Sequence, residues 1–570
     1  MFTLYEVLFC ILCWREPTVL AKPKLGSVKE KQLMSKRDDF EVIDLNDASS
    51  EGGKKISGPK ARRKSNSKIE VEKVDIKNNR RSGRKKDKKD STKVDEPEQK
   101  ITNKSRNVQF AVVMYFFLAL FIALCVYFCY FVAFKSDDFI NSPYNARLDK
   151  LAESIIRGDI VDKNGVVLAT SNSDNARSYP YGNMYAHAVG YDSNGMSGVE
   201  LDGNFYMLKS HAFILERIKN DLFNVKNKGD TVVTTLDHNL QEVAYDSMDY
   251  DGAVIAIEPS TGKILVMTSK PNFNPNTIAD NYKKLINSKD SELVNRATQG
   301  LYTPGSTFKI LTALEYLQEN VNAAQSTFDC NGKFTKDNYT IRCYKGEVHG
   351  HITFKEAFAE SCNIAFSQIG LGLNRNGFNQ LCNQLLFNKK LPTRLSNTSI
   401  SKFSVDDSTT EPIMMQTAIG QGQTVVSPIH MCMIASAICN DGKLMEPYIM
   451  DSITNYQGVN VKSFRSSTVD SILTQAQADQ IEEYMRDVVT NGTATALKSN
   501  NYEAFGKTGT AEVSDTNDDT HAWFVGYAKK DDKALAIAVI QEKGGSGSKT
   551  AVPIAKAVFD TYFSTNLNNN

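Results

Sequence analysis

An uncharged run of 27 residues, from Val108 to Phe134, limits most strongly how this chain can fold. Its only polar amide is Gln109, and it contains no Asp, Glu, Lys or Arg. Such a run is long enough to cross a lipid bilayer with some tilt. A buried helix of a soluble protein is the alternative, but helices of that kind are seldom apolar on every face. We therefore predict one transmembrane helix over residues 108–134.

The charge of the chain is distributed unevenly around this run. The formal net charge is +1, yet the segment from Gly53 to Arg106 holds 20 Lys and Arg against 8 Asp and Glu. The segment has no aromatic residue on which a base could stack, so we predict no nucleic-acid partner. Positive charge marks the cytoplasmic side of a span. We expect a single-pass protein of the cell membrane, with residues 1–107 in the cytoplasm and the chain beyond residue 135 outside.

The amino-acid composition differs between the two sides of the predicted span. Residues 1–107 are expected to be a disordered basic tail, because they hold few large apolar groups to offset the entropy of ordering. Residues 135–245 show short strands and turns, which indicate a small, extended domain. Residues 246–566 show strands near both ends with helices between them. That order indicates an α+β domain with an antiparallel sheet flanked by helices.

Local patterns predict several elements of these two domains. Asn164-Gly165 interrupts an alternation of apolar and polar residues and predicts a tight hairpin turn. Residues 253–258 and 263–268 are β-rich runs on either side of Pro259–Gly262, which predicts a second antiparallel hairpin. Other elements follow from the same patterns: helices at 207–221, 238–248 and 552–563, and strands at 230–237, 522–527 and 534–540.

The first candidate for chemistry is the pair Ser306 and Lys309. A Thr-Pro-Gly turn precedes apolar residues at helical spacing, so Ser306 is expected at the start of a buried helix. Residues three apart share a helix face, which would place the lysine amine beside the hydroxyl. A desolvated lysine with a lowered pKa can act as the base for a serine nucleophile. Taken alone, the pair is better explained by a helix-capping serine with a snorkelling lysine nearby.

Two further short motifs lie downstream of this pair. Ser361-Cys362-Asn363 lies between two predicted helices, and Lys507-Thr508-Gly509-Thr510 precedes a predicted strand. Alone, the first could be a helix cap and the second a solvated strand edge. In the order S-x-x-K, S-x-N and K-T-G, however, the three motifs form the signature of penicillin-binding proteins and serine β-lactamases. Cys362 stands where the common form of the second motif has Asp.

The chain from about Arg157 to Phe563 resembles a class B penicillin-binding protein, a monofunctional peptidoglycan D,D-transpeptidase. Besides the three motifs, the similarity is carried by Arg157-Gly158 with Asp162 and Asn164-Gly165, Asn295-Arg296-Ala297, Gly300 to Ser306, Gly350 to Phe354, Gly420-Gln421-Gly422 with Ser427-Pro428, and Gly506 to Ala511. The resemblance implies a transpeptidase domain of the penicillin-binding and serine β-lactamase-like fold over residues 246–566. It also implies a dimerisation-like pedestal over residues 135–245. No glycosyltransferase region is recognised, which separates the chain from bifunctional class A proteins.

The resemblance implies a role for each residue of the first two motifs. Ser306 would attack the penultimate D-Ala carbonyl of a stem peptide, expel the terminal D-Ala and form an acyl-enzyme. Lys309 would take the hydroxyl proton, although which base does so in the superfamily is disputed. Ser361 would relay the proton toward the leaving amine, and Asn363 would hold the lysine and the substrate amide.

The third motif would bind and polarise the substrate. Lys507 would supply positive charge and Thr508 a hydroxyl for the terminal carboxylate, with Gly509 and Thr510 lining the same strand. The backbone N–H groups of Ser306 and Thr510 would form the oxyanion hole. The implied ligands are D-Ala-D-Ala stem peptides and β-lactams, and the implied protein partner is a SEDS-family glycan polymerase in the membrane. No cofactor and no metal are expected for this chemistry.

Two rival functions belong to other classes. A membrane-anchored serine β-lactamase of class A would carry an E-x-x-x-N pattern between the second and third motifs. None of the glutamates between these motifs has Asn four residues further on; they are Glu411, Glu446, Glu482, Glu483 and Glu503. A non-catalytic β-lactam sensor or scaffold would show further spans, a protease motif or lost motif residues, and the chain shows none of these. The transpeptidase is therefore favoured.

The cysteines and histidines of the large domain allow few sequence predictions. Cys330 and Cys343 are 13 residues apart in a region expected outside the cell, where a disulfide and two unpaired thiols are equally compatible with the sequence. His349, His351 and His521 show no recognisable ligand spacing, so they predict no metal. His521 is expected to pack or to line the cleft.

Overall fold

The computed structural model describes residues 103–134, 152–223, 225–514 and 517–565. The tail predicted to be disordered therefore lies outside the described residues, apart from its last five positions. Helix α1 spans Asn103–Phe134, and its stretch Val108–Val132 is the one helix in the described chain long and apolar enough to cross a membrane. The side chains of this stretch are largely exposed, as those of a lipid-facing helix would be, which fits the predicted span.

Short elements make up the chain between residues 152 and 246. They are β1 (Ile155–Ile156), β2 (Ile160–Val161), β3 (Val167–Ser171), β4 (Arg177–Ser178), α2 (Gly198–Asp202), α3 (Asn204–Met207), α4 (Ile214–Leu222), β5 (Asn227–Lys228), β6 (Thr231–Thr234) and α5 (His238–Asp246). Strands β2 and β3 pair antiparallel around the Asn164-Gly165 turn, as predicted. Gly165 has a φ of +88°, a conformation that favours glycine.

The single helix predicted over residues 207–221 is wrong. Helix α3 ends at Met207 and α4 begins at Ile214. Between them two backbone carbonyls accept hydrogen bonds from other segments of the chain. The Met207 carbonyl accepts from Gly158 N at 2.9 Å and the Lys209 carbonyl accepts from Asp230 N at 2.8 Å. These tertiary hydrogen bonds replace the helical ones, so local periodicity could not reveal the break.

The chain from residue 252 onward carries longer elements. They are β7 (Gly252–Ile257), β8 (Ile264–Lys270), α6 (Ile278–Ile286), α7 (Lys309–Glu319), β9 (Thr327–Cys330), β10 (Lys333–Lys336), β11 (Tyr339–Arg342), β12 (Gly350–Thr353), α8 (Phe354–Ala359), α9 (Asn363–Gly372), α10 (Arg375–Gln384), α11 (Glu411–Ala418), α12 (Pro428–Cys439), β13 (Lys443–Met445), β14 (Met450–Thr454), β15 (Asn460–Ser463), β16 (Thr468–Ser471), α13 (Gln475–Thr490), β17 (Glu503–Ser514), β18 (Asn517–Lys530), β19 (Lys533–Gln541) and α14 (Gly547–Thr565).

A five-stranded antiparallel sheet forms the centre of this part of the chain. Its order is β17-β18-β19-β7-β8, so the last strands of the chain complete a sheet begun by the first hairpin. That hairpin, β7 with β8, is antiparallel as predicted. All six residues of β7 are buried, as are the last seven of β19, so the sheet is covered on both faces. Helices α12 and α14 both pack against it. The α+β prediction is confirmed.

A second sheet of six strands has the order β15-β14-β6-β2-β3-β4. Strand β14, from residues 450–454, pairs antiparallel with β6, so chain from both sides of residue 252 contributes to one sheet. The domain boundary at residue 245 therefore stays a prediction, because this sheet joins segments assigned to both predicted domains.

Candidate active site

Ser306 lies in a tight turn that leads into helix α7. Residues Gly305–Phe308 form a 3₁₀ turn and α7 continues from Lys309, which confirms the predicted helix start. Gly305 has a φ of +54°, and a Cβ there would lie 2.9 Å from the Cβ of Ala511 on β17. Only glycine fits at this position, so the turn lies directly against the strand that carries the third motif. Ser306 itself is half-buried.

The amine of Lys309 is entirely buried and points to the second motif. Its Nζ donates to the Ser361 carbonyl at 2.7 Å and to Asn363 Oδ1 at 2.8 Å, and it lies 3.2 Å from Ser361 Oγ. It also lies 5.2 Å from the ring centre of Phe366. Within the described chain no hydrogen bond links Lys309 to Ser306, so the amine is held by the second motif rather than by the serine three residues before it.

Burial changes the protonation of both motif lysines. Desolvation lowers the pKa of Lys309 to about 8, against a weaker opposing effect of the Cys362 and Cys343 thiols. The pKa of Lys507 is also lowered, mainly by desolvation and then by the charge of Lys309. A buried amine that loses its proton near neutral pH can accept one from a hydroxyl. The site therefore contains a group suited to act as a base.

The partners of Lys309 suit its neutral form. A neutral amine has two N–H donors and one lone pair, and two of its neighbours, the Ser361 carbonyl and Asn363 Oδ1, can only accept. The third, Ser361 Oγ, can donate as well as accept. The lone pair can therefore face a hydroxyl group, which is the arrangement that a proton relay requires.

The second motif forms the connection between α8 and α9. Ser361 has a φ of +59°, which is uncommon for a residue with a side chain and costs of order 1–3 kcal/mol. Asn363 is the first residue of α9, and its Nδ2 donates to the Arg342 carbonyl at 2.8 Å. Between them Cys362 caps α9, with its sulfur accepting from Ala365 N at 3.5 Å. Both amide atoms of Asn363 are thus engaged, so its orientation is fixed.

The third motif lies inside β17, and the strand predicted after it at residues 522–527 is part of β18. Lys507 pairs with Val525 of β18 and Thr510 pairs with Ala522. Gly506 and Gly509, on either side of Lys507, serve close packing. A Cβ on Gly509 would lie 3.0 Å from the methyl group of Thr307 and 3.1 Å from the carbonyl oxygen of Pro304.

Thr493 is a residue of the site that sequence reasoning missed. Its Oγ1 lies 2.6 Å from Oγ1 of Thr508, and its backbone N–H donates to the Ala359 carbonyl at 3.2 Å. It therefore connects the third motif to helix α8, which precedes the second. It stands in an ordinary Asn-Gly-Thr-Ala segment after α13, and no local pattern singles it out.

The histidines have different surroundings. His521 packs edge-on against Tyr302 at 5.5 Å, in agreement with the packing expected of it. His351 pairs with Asp329 at the surface. His349 lies among three cysteines, with Nδ1 3.3 Å from Cys330 Sγ. The sequence shows no ligand spacing among the three histidines, and the cysteine neighbours of His349 come from separate segments of the chain.

Together, a serine at the head of a helix, a buried lysine three residues on, an S-x-N connection and a K-T-G strand define a site of the serine–lysine, penicillin-recognising class. The chain belongs to the penicillin-binding protein transpeptidase family. The model of the penicillin binding protein transpeptidase domain matches residues 252–560, and that of the penicillin binding protein A dimerisation domain matches residues 157–232.

Similar proteins support this membership. The peptidoglycan D,D-transpeptidase PbpA of Mycolicibacterium smegmatis is 30% identical over 465 residues, which cover 74% of this chain and 92% of that protein. The D,D-transpeptidase domain of a peptidoglycan glycosyltransferase from Eggerthella lenta is 30% identical with a TM-score of 0.64, covering 72% and 98% of the two chains. Penicillin-binding protein A of M. tuberculosis, solved as a ceftriaxone acyl-enzyme, is 25% identical with a TM-score of 0.65, covering 72% and 99%.

Proposed function

We propose that this chain is a serine-type peptidoglycan D,D-transpeptidase in which Ser306 is acylated by D-Ala-D-Ala stem peptides and by β-lactams. Its family and its relatives are D,D-transpeptidases and acyl-enzyme-forming proteins. The observation that carries the serine mechanism is the buried Lys309 amine, which has a pKa lowered to about 8 and lies three residues from Ser306 at the start of α7.

In the first half-reaction Lys309 takes the Ser306 proton while the oxygen attacks the penultimate D-Ala carbonyl. The C–N bond to the terminal D-Ala breaks, and the leaving amine receives its proton through Ser361, whose Oγ lies 3.2 Å from the lysine. In the second half-reaction an amine of a neighbouring stem peptide attacks the acyl-enzyme. It loses a proton to the same relay and releases Ser306. The net result is one amide bond exchanged for another, without oxidation or reduction.

The roles of the third motif follow from its position beside the Ser306 turn. Lys507 is buried, and its ammonium form would draw the substrate carboxylate toward β17. The Thr508 hydroxyl would bind that carboxylate, while Gly509 permits close contact with the turn. Backbone N–H groups of Ser306 and Thr510 would stabilise the oxyanion.

The test is labelling of the full-length protein in detergent with a fluorescent penicillin. Wild type is compared with Ser306→Ala and with Ser367→Ala, a control that removes a buried hydroxyl of α9 for which the described residues offer no hydrogen-bond partner. We expect a stable adduct on the Ser306 peptide in wild type and in the control only. Rapid loss of label with accumulating hydrolysed drug would make the protein a β-lactamase. No label in the folded wild type would support the scaffold alternative.

We also propose that the catalytic domain lies outside the membrane and that the protein works with a SEDS-family glycan polymerase. The basic segment before α1 supports the orientation. An exposed apolar face on α4, formed by Ile214, Leu215, Ile218 and Leu222, offers a surface for a membrane partner. Protease treatment of intact spheroplasts should remove the penicillin-labelled domain and spare an N-terminal tag. Protection of the labelled domain would reverse the orientation.

A further inference from the structure

The carboxylate of Glu542 receives two hydrogen bonds from the segment that leads to Ser306. Its Oε1 accepts from the hydroxyl of Tyr302 at 2.7 Å and from Nε of Arg296 at 2.7 Å. The side chain of Arg296 is 9% exposed and that of Glu542 is 26% exposed, so water screens this contact only in part. The acylation steps proposed above use neither Glu542 nor Tyr302.

The hydrogen bond between Tyr302 and Glu542 joins two segments that are anchored separately. The N–H of Tyr302 donates to the Val426 carbonyl at 3.0 Å, and its carbonyl accepts from Val426 N at 2.9 Å. The N–H of Glu542 donates to the Asp251 carbonyl at 2.6 Å. Burial, and then the charge of Glu542, raise the pKa of Tyr302, so its hydroxyl keeps the proton and acts as the donor.

Glu542 follows directly after the residue of β19 that is aligned with Thr510. Thr510 on β17 pairs with Ala522 of β18, and Ala522 pairs with Gln541 of β19. Backbone pairing keeps neighbouring strands roughly 4.7–4.9 Å apart. The sheet therefore fixes the position of Glu542 relative to Thr510, the residue whose N–H is proposed to form half of the oxyanion hole.

A second hydrogen bond joins the sheet to the next residue of the same segment. Nε1 of Trp523, which is opposite Gly509 in the sheet, donates to the Thr303 carbonyl at 3.1 Å. Two consecutive residues, Tyr302 and Thr303, are thus bonded to the end of the sheet that carries the third motif. Because the Trp523 contact remains when the Tyr302 hydroxyl is removed, we expect that removal to displace the turn and not to unfold it.

We propose that Tyr302 and Glu542 are positioning residues for acylation, which set the separation of the Ser306 and Thr510 backbone N–H groups across the oxyanion hole. Such donors must lie about 2.7–3.1 Å from the forming oxyanion. One donor belongs to the turn after Tyr302, and the other belongs to the line of strand pairing that ends beside Glu542. Their hydrogen bond holds the two donors at one distance. This role rests on the proposed function, because it requires Ser306 to be acylated.

Arg296 orients the carboxylate of Glu542. Its Nη1 and Nη2 donate to the carbonyls of Ser291 and Asp290 at 3.2 and 2.9 Å, so the guanidinium is held in place and directs Nε toward Glu542. Both hydrogen bonds to Glu542 end on one oxygen atom. The oxygen of a side-chain amide is an acceptor as well. The positioning role therefore requires an acceptor oxygen at this place, and it does not require a negative charge.

The test measures the acylation rate of the full-length protein in detergent over a range of fluorescent penicillin concentrations. Tyr302→Phe removes only the hydroxyl, and we expect its limiting rate to fall about three- to tenfold, as for the loss of one hydrogen bond. The concentration that gives half the limiting rate should change little. Tyr527→Phe is the matched control, because Tyr527 donates to Glu482 at 2.8 Å beside Lys529, at the other end of β18. It should acylate at the wild-type rate.

Replacements of Glu542 test the other half of the pair. Glu542→Gln should keep a limiting rate close to that of wild type, because its amide oxygen can accept from Tyr302 and Arg296. Glu542→Ala should lose at least as much as Tyr302→Phe. Thermal unfolding is measured alongside, since Glu542→Ala also removes the partner of a largely buried guanidinium. Tyr302→Phe keeps that partner, so it decides the question if Glu542→Ala does not fold.

Two further measurements separate positioning from a general loss of structure. A boronic acid adds to a serine hydroxyl to give a tetrahedral anion, and it should bind Tyr302→Phe more weakly by about the factor that the limiting rate loses. The pH at which the acylation rate is half-maximal should stay near 8, because the amine of Lys309 is held by Ser361 and Asn363 of the second motif.

A limiting rate for Tyr302→Phe equal to that of wild type, or equal losses in Tyr302→Phe and Tyr527→Phe, would overturn the positioning role and leave Ser306 as the acylated serine. A loss confined to the half-maximal concentration would overturn it in favour of substrate binding. A shifted pH midpoint would overturn it in favour of an effect on Lys309. No acylation of the folded wild type would overturn the proposed function itself, and the positioning role with it.

Discussion

Lys309 Nζ lies 2.8 Å from Oδ1 of Asn363, which is 54 residues further along the chain. This hydrogen bond brings the first and second motifs into one site, and the remaining amide atom of Asn363 is held by the backbone before Cys343. Residues far from Lys309 in the sequence therefore position its amine. Ser306 lies in the turn directly before the helix that begins at Lys309.

Replacing Lys309 with Met should slow acylation by about 10²- to 10⁴-fold, the usual contribution of a positioned general base. Met has a similar length and no charge, so it fits the buried position without adding an unpaired polar group. The rate constant for labelling by a fluorescent penicillin measures the effect. Lys402→Met, which changes a lysine outside the site, serves as the control. A Lys309→Met rate within threefold of wild type would assign the base to another group.

Acylation should become faster as pH rises through about 8. Burial lowers the pKa of Lys309 to about 8, so its neutral, proton-accepting form is the minor form at pH 7 and the major one above pH 8. The neighbouring thiols Cys343 and Cys362 oppose this shift, and Lys309 in turn lowers the pKa of Lys507. Stopped-flow acylation rates measured across this pH range, with a stable β-lactam, provide the check. A rate that falls across the same range would mean that protonated Lys309 is the active form.

Gly420→Ala should damage both stability and acylation, whereas Gly422→Ala should affect stability only. Both glycines have left-handed φ values, +78° and +76°, so either substitution costs about 1–2 kcal/mol in backbone strain. A Cβ on Gly420 would also overlap the carbonyl oxygen of Gly305, the residue before Ser306, while one on Gly422 would lie 3.4 Å or more from its neighbours. The midpoint of thermal unfolding and the acylation rate of both variants in detergent separate the two effects. Equal acylation rates would show that the Ser306 turn tolerates the displacement.

Local sequence patterns predicted the elements whose structure depends mainly on neighbouring residues. The Pro259–Gly262 turn and its β-rich flanks gave the first hairpin of the central sheet, and the Thr-Pro-Gly turn gave the helix start at Ser306. The same signals failed where tertiary contacts decide. Periodicity predicted one helix over residues 207–221, which tertiary hydrogen bonds of the Met207 and Lys209 carbonyls interrupt. Gly506 and Gly509 lie in the middle of β17, where glycine allows close packing against β18 and the Ser306 turn.

Contacts between distant segments could not be predicted from spacing. Thr493 joins the site through one hydroxyl contact with Thr508, and a threonine after a helix has no distinguishing pattern. His349 meets Cys330 and Cys343 only after two strand pairings bring the ends of β9, β11 and β12 together. The sequence positions of Cys330, Cys343, His349 and Cys362 do not follow a compact motif, although their side chains lie close together.

Replacing Glu200 should destabilise the protein far more than replacing an exposed carboxylate. Glu200 is fully buried and pairs with Arg157 at 2.6 Å and with Arg177 at 2.7 Å. Glu200→Gln leaves two largely buried guanidinium groups without a counter-charge, which costs about 3–5 kcal/mol. Glu483→Gln, which alters the exposed pair with Lys355, should cost about 0–1 kcal/mol. Thermal unfolding of the full chain in detergent compares the two variants.

The same residue predicts how stability depends on pH. Burial alone would raise the pKa of Glu200, but the charges and hydrogen bonds of Arg177 and Arg157 outweigh it and hold the pKa below its usual value. A lowered folded-state pKa stabilises the protein above the unfolded value of about 4.3, and the contribution disappears as pH falls below it. The difference in the free energy of unfolding between wild type and Glu200→Gln should therefore become smaller as pH falls. A constant difference down to about pH 3 would show that hydrogen bonding, and not charge, stabilises this cluster.

Thr493→Val should weaken acylation about two- to tenfold, and Thr493→Ser should not. Oγ1 of Thr493 lies 2.6 Å from Oγ1 of Thr508, so it fixes the direction of the hydroxyl proposed to bind the substrate carboxylate. Val keeps the shape and removes the hydrogen bond, which is worth about 0.5–1.5 kcal/mol, whereas Ser keeps the hydroxyl. The loss should appear in the concentration of β-lactam that gives half-maximal acylation rate, and little in the limiting rate, because the hydroxyl acts on binding. Equal losses in Thr493→Ser and Thr493→Val would mean that the methyl group, by packing, is what the site requires.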